Sequence, residues 1–255
     1  NLPFSKVYLH EKSIDAVSLH IDLAYMLQST NWCQKEINWL IQKQDLDTGL
    51  WYESFTKTEL ANHKHPRVVE MVGTYLGFQV SSLLLALNKK AKHIFFLDFL
   101  KAEENSLRNY LNKMPWVQSP WGAGGWVDSI ATMIRANINW GDNEYQVIYK
   151  KLIDWLNEQQ SPNTGLWGDN KVQGIAGQIN GTYHLTRGTF FASNLKILHA
   201  RSLFDSLIDF LNTDRNFLNN SGEGCYDLDS TFLLYKLSKE LPNHRKSEVR
   251  NFALN

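Results

Sequence analysis

Two carboxylates stand close together where the chain reads Gly224-Cys225-Tyr226-Asp227-Leu228-Asp229-Ser230-Thr231. Near a helix start such acids meet free backbone N–H groups and the positive end of the helix dipole, so both can serve as caps. In a partly dry cavity the same pair does chemistry, because desolvation and crowding raise one pKa and leave an acid beside an ionised partner. Asp229 is then the acid and Asp227 its orienting or base partner. Asp128 opens a comparable segment earlier in the chain and offers a second carboxylate for dividing acid and base work across a bond. His184 can donate a proton or a hydrogen bond, and Arg187, three residues on, can pair with a carboxylate or an acidic substrate.

Aromatic residues recur beside turns. Trp51, Trp126 and Trp167 each adjoin a glycine or a polar turn, and Tyr75, Tyr183 and Tyr226 follow glycines at short spacing. Together they make a wall suited to sugar C–H faces or to a terpenoid cation. Metal chemistry has weaker support. His63-Lys64-His65 has no third ligand at a clear spacing, and Cys33 and Cys225 are too few and too far apart for a disulfide framework or a metal site of their own. Cys225 with Asp227 and His184 is the remaining metal-capable set, similar to the scattered Asp, Cys and His ligands of protein prenyltransferases. No metal and no cofactor are expected.

The elements that would carry these residues are helical. Residues 37–51 (INWLIQKQDLDTGLW) and 151–169 (KLIDWLNEQQSPNTGLWGD) share one plan: an amphipathic helix, a polar turn, then Thr-Gly-Leu-Trp, repeated 116 residues apart. Apolar spacing predicts outer helices over about 32–43, 106–114, 145–160 and 203–211. More uniformly apolar inner helices are predicted over 16–27, 76–87, 128–136, 185–200 and 227–237, with a further helix starting across 93–99. Pro115 and Pro120 are read as breaks, 51–66 as a loop or short helix, and 168–178 as a polar loop. Gly-x-aromatic occurs at Gly73/Tyr75, Gly124/Trp126, Gly181/Tyr183 and Gly224/Tyr226, each placed at the opening of an inner helix. Alternating strand patterns are scarce. The fold expected is all-α, an α/α toroid or partial toroid of antiparallel helix pairs, with an open α-solenoid as the alternative. Closure would gather the four inner starts around one cavity.

Apolar residues make up 43% of the 255 positions, enough for one continuous body over 1–255, which can itself be part of a longer protein with a further domain. Lysine plus arginine equals aspartate plus glutamate at 26 each, which argues against nucleic acid as a partner. No apolar run is long enough for membrane insertion. Two widely spaced cysteines are compatible with a reducing cytosol, and the cytoplasm is the expected location.

The two Thr-Gly-Leu-Trp turns resemble loops of α/α-toroid glycan enzymes, especially unsaturated glucuronyl hydrolases and sugar epimerases. That resemblance implies a cavity at the inner helix ends, aromatic stacking on an oligosaccharide, and acid/base aspartates. The first functional expectation is accordingly a glycan-processing hydrolase, lyase or epimerase. A second resemblance lies in Gln159-Gln160 followed by Gly165-Leu166-Trp167, which looks like the glutamine-tryptophan repeat of squalene and terpene cyclases. Asp227-Leu228-Asp229-Ser230-Thr231 is similar to their Asp-x-Asp-Asp protonation motif, with Ser230 in place of the last aspartate. It implies that Asp229, the middle aspartate, protonates a terpenoid substrate. A noncatalytic carbohydrate-binding or accessory module is the third expectation.

Overall fold

The computed structural model describes residues 17–18, 33–52, 66–97, 100, 103–213 and 224–254. His63 and His65, most of the helix expected over 16–27, and residues 221–223 lie outside them. Every regular element that is described is helical: α1 (Gln34–Gln42), α2 (Pro66–Ala86), α3 (Ser106–Asn112), α4 (Pro120–Trp140), α5 (Glu144–Gln159), α6 (Gly174–Thr186), α7 (Ala200–Thr213), α8 (Gly224–Glu240) and α9 (Lys246–Leu254), with a π-helical turn at Arg187–Phe191. The protein is an all-α helical-repeat structure. Two compact units are drawn from residues 1–102 and 129–149, and from 103–128 and 150–255. No described helix is long and apolar enough to cross a membrane.

The outer helices form for the reason their spacing suggests. Along α5, Tyr145, Ile148, Leu152, Trp155 and Leu156 are buried, at the three- and four-residue intervals that put them on one face. The repeated turns then share their glutamine and indole bonds, although Gln44 Nε2 also donates to His93 O (2.8 Å). In one unit Gln44 Nε2 donates to Gly49 O (2.8 Å) and Gln44 Oε1 accepts from His93 N (2.7 Å). In the other, Gln160 Nε2 donates to Gly165 O (2.8 Å) and Gln160 Oε1 accepts from His199 N (3.0 Å). Gly49 and Gly165 both have φ +70°, and a Cβ at either would lie 2.2 Å from backbone, so only glycine fits. The indole N–H of Trp51 donates to Leu40 O and that of Trp167 to Leu156 O, each at 2.7 Å. A glutamine amide and an indole thus lock each turn onto the end of its own helix.

Other segments depart from expectation. Pro120 does not break the chain; it takes the first position of α4, where its missing N–H has no helical partner to lose. As a result Gly124, Trp126 and Asp128 lie inside a helix instead of at its start. Gly73 and Tyr75 are likewise inside α2, and Gly181 and Tyr183 inside α6, so only Gly224 and Tyr226 open a helix. Gly124 and Gly181 mark a crossing: a Cβ on Gly124 would fall 2.0 Å from Gly181 O, so their absent side chains let α4 and α6 touch backbone to backbone.

The inner helix expected over 185–200 ends at Thr186. Thr186 Oγ1 bonds back to Thr182 O (2.7 Å), the π turn follows, and Asn194 in the left-handed region (φ 53°) stops the chain before α7. Residues 94–97 carry no regular structure where a helix start was expected. The buried amide of Asn137 holds them, accepting from Phe95 N (2.8 Å) and donating to Phe95 O (2.9 Å).

Candidate functional site

The polar residues of interest in the second unit come from three helices. α4 supplies Asp128, α6 and its π turn supply His184 and Arg187, and α8 supplies Asp229. Asp128 is 1% exposed, and its position depends on Gly188: a Cβ there would meet Asp128 Oδ1 at 2.2 Å. Arg187 holds Asp128 Oδ2 through Nε (2.9 Å) and through a very short contact from Nη2, while Nη1 donates to Tyr183 Oη (3.1 Å). The guanidinium also covers the Tyr183 ring at 5.1 Å. Burial pulls the Arg187 pKa down, but Asp128 and Tyr183 outweigh it and keep the group firmly cationic. The π turn adds one residue to the helix, a device common at functional sites, and sets Arg187 across from Asp128.

His184 stands between the two carboxylates, with Nδ1 3.7 Å from Asp128 Oδ2 and Nε2 3.8 Å from Asp229 Oδ2. Arg187 Nη2 lies 3.4 Å from Nδ1 and can only donate; the tautomer with its proton on Nε2 is the one that accepts there and presents an N–H to Asp229. Sub-ångström closure brings that N–H to hydrogen-bond length, and such contacts commonly tighten only when substrate binds. Asp229 is 3% exposed, and burial raises its pKa to about 6, an effect that the neighbouring His184 and Arg187 moderate. A carboxyl poised there gives up a proton near neutral pH.

Around this acid runs a chain of rings. Trp121 lies near-parallel to His184 (6.5 Å, 20°) and beside Tyr226 (5.8 Å); Tyr183 meets Phe232 edge-on at 5.4 Å, and Phe232 meets Phe191 at 5.9 Å. Trp121, Tyr226, Phe232 and Phe191 are half-buried. Gly125, one turn after Trp121 on α4, has nothing within 4 Å of where a Cβ would stand.

The structure therefore brings together Asp128, His184, Arg187, Asp229, Tyr183 and Tyr226. Asp227 is set apart from Asp229, since residues two apart on a helix do not share a face; its Oδ1 is buried without a hydrogen bond. Trp167 (1% exposed) and Trp51 (0%) are consumed by the core and their indole bonds. Trp126 stacks on Tyr110 at 6.4 Å. Tyr75 is exposed and, like Trp51, belongs to the other unit. Cys225 is exposed, and no group of three or more His, Cys, Asp and Glu among the described residues is arranged to hold a metal ion.

Sequence reasoning missed Trp121, Gly125 and Phe232. Trp121 was hidden because the preceding proline read as a break, although Pro-Trp-Gly-Ala-Gly-Gly-Trp does place two tryptophans around small residues. The chain matches no known family model, no curated protein and no solved structure.

Proposed function

We propose that the chain is an acid-catalysing enzyme of the terpenoid-cyclase-like type, with Asp229 as the proton donor to an alkene of a linear isoprenoid. The observation that carries this reading is one buried carboxyl, its pKa raised to about 6, beside an imidazole and a partly open aromatic wall. In the proposed step the Asp229 O–H bond breaks, the alkene π pair forms a new C–H bond, and the ring faces of Trp121, Tyr226 and Phe232 stabilise the resulting cation. The His184 N–H stabilises the carboxylate left behind. Ring closure and loss of a proton give an isomer of the substrate, and solvent reprotonates Asp229.

The two-carboxylate glycan reading has less support, because Asp128 is tied to Arg187 and is not free to act as a base. Within the proposal the helix pairs continue as an α/α toroid, with the acid at its cavity end.

Incubation of farnesol, geranylgeraniol and squalene in D2O tests the reading. A cyclic isomer one mass unit heavier, lost in Asp229→Asn, is the expected result. Unchanged turnover by Asp229→Asn, or turnover of oligosaccharides alone, overturns it; ligand binding without any turnover points to the noncatalytic module.

A further inference from the structure

We infer that Asn180 is a ligand-binding residue of this same site, and that the substrate carries an oxygen, a hydroxyl or carbonyl, that accepts a hydrogen bond from its side-chain amide. Asn180 is 1% exposed, and its Nδ2 is buried with no hydrogen-bond partner. Such groups are few in native interiors, where burial without a partner is costly. It sits one helical turn before His184 on α6 and so shares the face that meets Asp229.

The surroundings argue for a ligand over a packing defect. Asn180 adjoins Gly181 in sequence, as Gly125 adjoins Gly124, so both flank the point where α4 and α6 touch. Beside Gly125 there is open space; at Asn180 there is an unused donor. Three further buried atoms on the same three helices, Asp128 Oδ1, Asp227 Oδ1 and Asp229 Oδ2, lack hydrogen bonds. Asp128 Oδ1 is packed against Gly188 and Asp227, two residues before Asp229, is off its face, which leaves Asp229 and Asn180 as the pair on the side of the imidazole. A pure hydrocarbon would leave the Asn180 amide unsatisfied. An isoprenoid alcohol satisfies it, with its oxygen about 5 Å along the helix from the imidazole and its chain on the aromatic wall. The inference rests on the Asp229 reading for the apolar part of the substrate and on Asn180 for the oxygen.

Calorimetric binding of farnesol and of its deoxygenated triene, which lacks only the hydroxyl, tests it on the unaltered protein. Farnesol is expected to bind about tenfold more tightly, the size of one hydrogen bond to a buried amide. Asn180→Leu should weaken farnesol alone, to the level of the triene, and Asn180→Met provides the same comparison if the leucine variant fails to fold. Equal affinity of the two probes for the unaltered protein, or a preference that survives in both variants, overturns the assignment of Asn180 while leaving Asp229 as the donor. Loss of the preference in the variants together with full turnover by Asp229→Asn keeps Asn180 and overturns the donor. Failure of both probes to bind overturns the isoprenoid reading and the inference with it.

Discussion

Gln160 and Asp229 lie in the same unit, and each is 3% exposed. Their surroundings treat them in opposite ways. Both ends of the Gln160 amide are used, one on Gly165 O and the other on His199 N. Asp229 Oδ2 has no hydrogen bond, its imidazole neighbour stands 3.8 Å off, and its pKa is pushed up by burial. A buried polar group that is fully satisfied specifies the fold, whereas one left unsatisfied lowers stability and persists where function needs it. The Gln160 turn has a near-copy at Gln44, while the Asp229 cluster has none among the described residues. The turns belong to the scaffold, and the cluster is the seat of the proposed chemistry.

The largest expected effect is at Asp128, which is buried with Oδ2 held by Arg187 and Oδ1 without a hydrogen bond. Asp128→Ala strands the Arg187 guanidinium and should lower unfolding free energy by about 3 kcal/mol in urea denaturation. A loss under about 1 kcal/mol would mean that the ion pair is not formed in solution.

Asp229→Asn should shift stability the other way. A folded pKa near 6 lies above the unfolded value of 3.8, so between those values the folded state holds a proton that the unfolded chain has released. Stability contributed by this group is therefore present below the unfolded pKa and lost as pH rises through about 6. Asparagine does not ionise and escapes that loss. The variant should be more stable than the parent by about 2–3 kcal/mol at pH 7.5, and the two should converge below pH 4. Destabilisation at pH 7.5 would make Asp229 an ordinary structural carboxylate.

Gln160→Leu removes both bonds that close its turn and should cost about 2 kcal/mol, with Gln44→Leu costing a similar amount in the other unit. Unequal losses, read from hydrogen exchange resolved by segment, would show that the two turns differ in weight despite their matching geometry.

The smallest effect is expected at Gly125. Alanine there meets open space and should gain about 1 kcal/mol from helix propensity alone. The same change leaves less room beside Trp121, so ligand affinity should fall while the melting temperature rises. A variant that gains in both would place the ligand elsewhere.

Much of the scaffold was legible in the sequence. Glutamine, glycine and tryptophan at fixed offsets marked the two turns, and the apolar spacing of 145–156 marked α5 and its buried face. The inner helices are legible but out of register, because Gly124 and Gly181, which serve a crossing, look in sequence like helix openings. Gly124 and Gly181 are 57 residues apart, and nothing local shows that each needs the other's missing side chain. Asp229, Asp128, His184 and Arg187 were legible as residue types, while the bond that neutralises Asp128 depends on a π turn that no apolar period announces. Trp51 and Trp167 looked like ligand platforms for the same reason that they are core: a tryptophan next to a tight turn is what the turn packs against. Asn180 carried no signal at all, since only the packed structure reveals an amide without a partner.

The measurement that bears most directly on this account is the titration of the Asp229 side-chain carboxyl by 13C NMR, with the signal assigned by its absence in Asp229→Asn. A midpoint near pH 6 is expected. A midpoint at or below 4 would make Asp229 a solvated or ion-paired carboxylate, and would contradict the proposed role as proton donor.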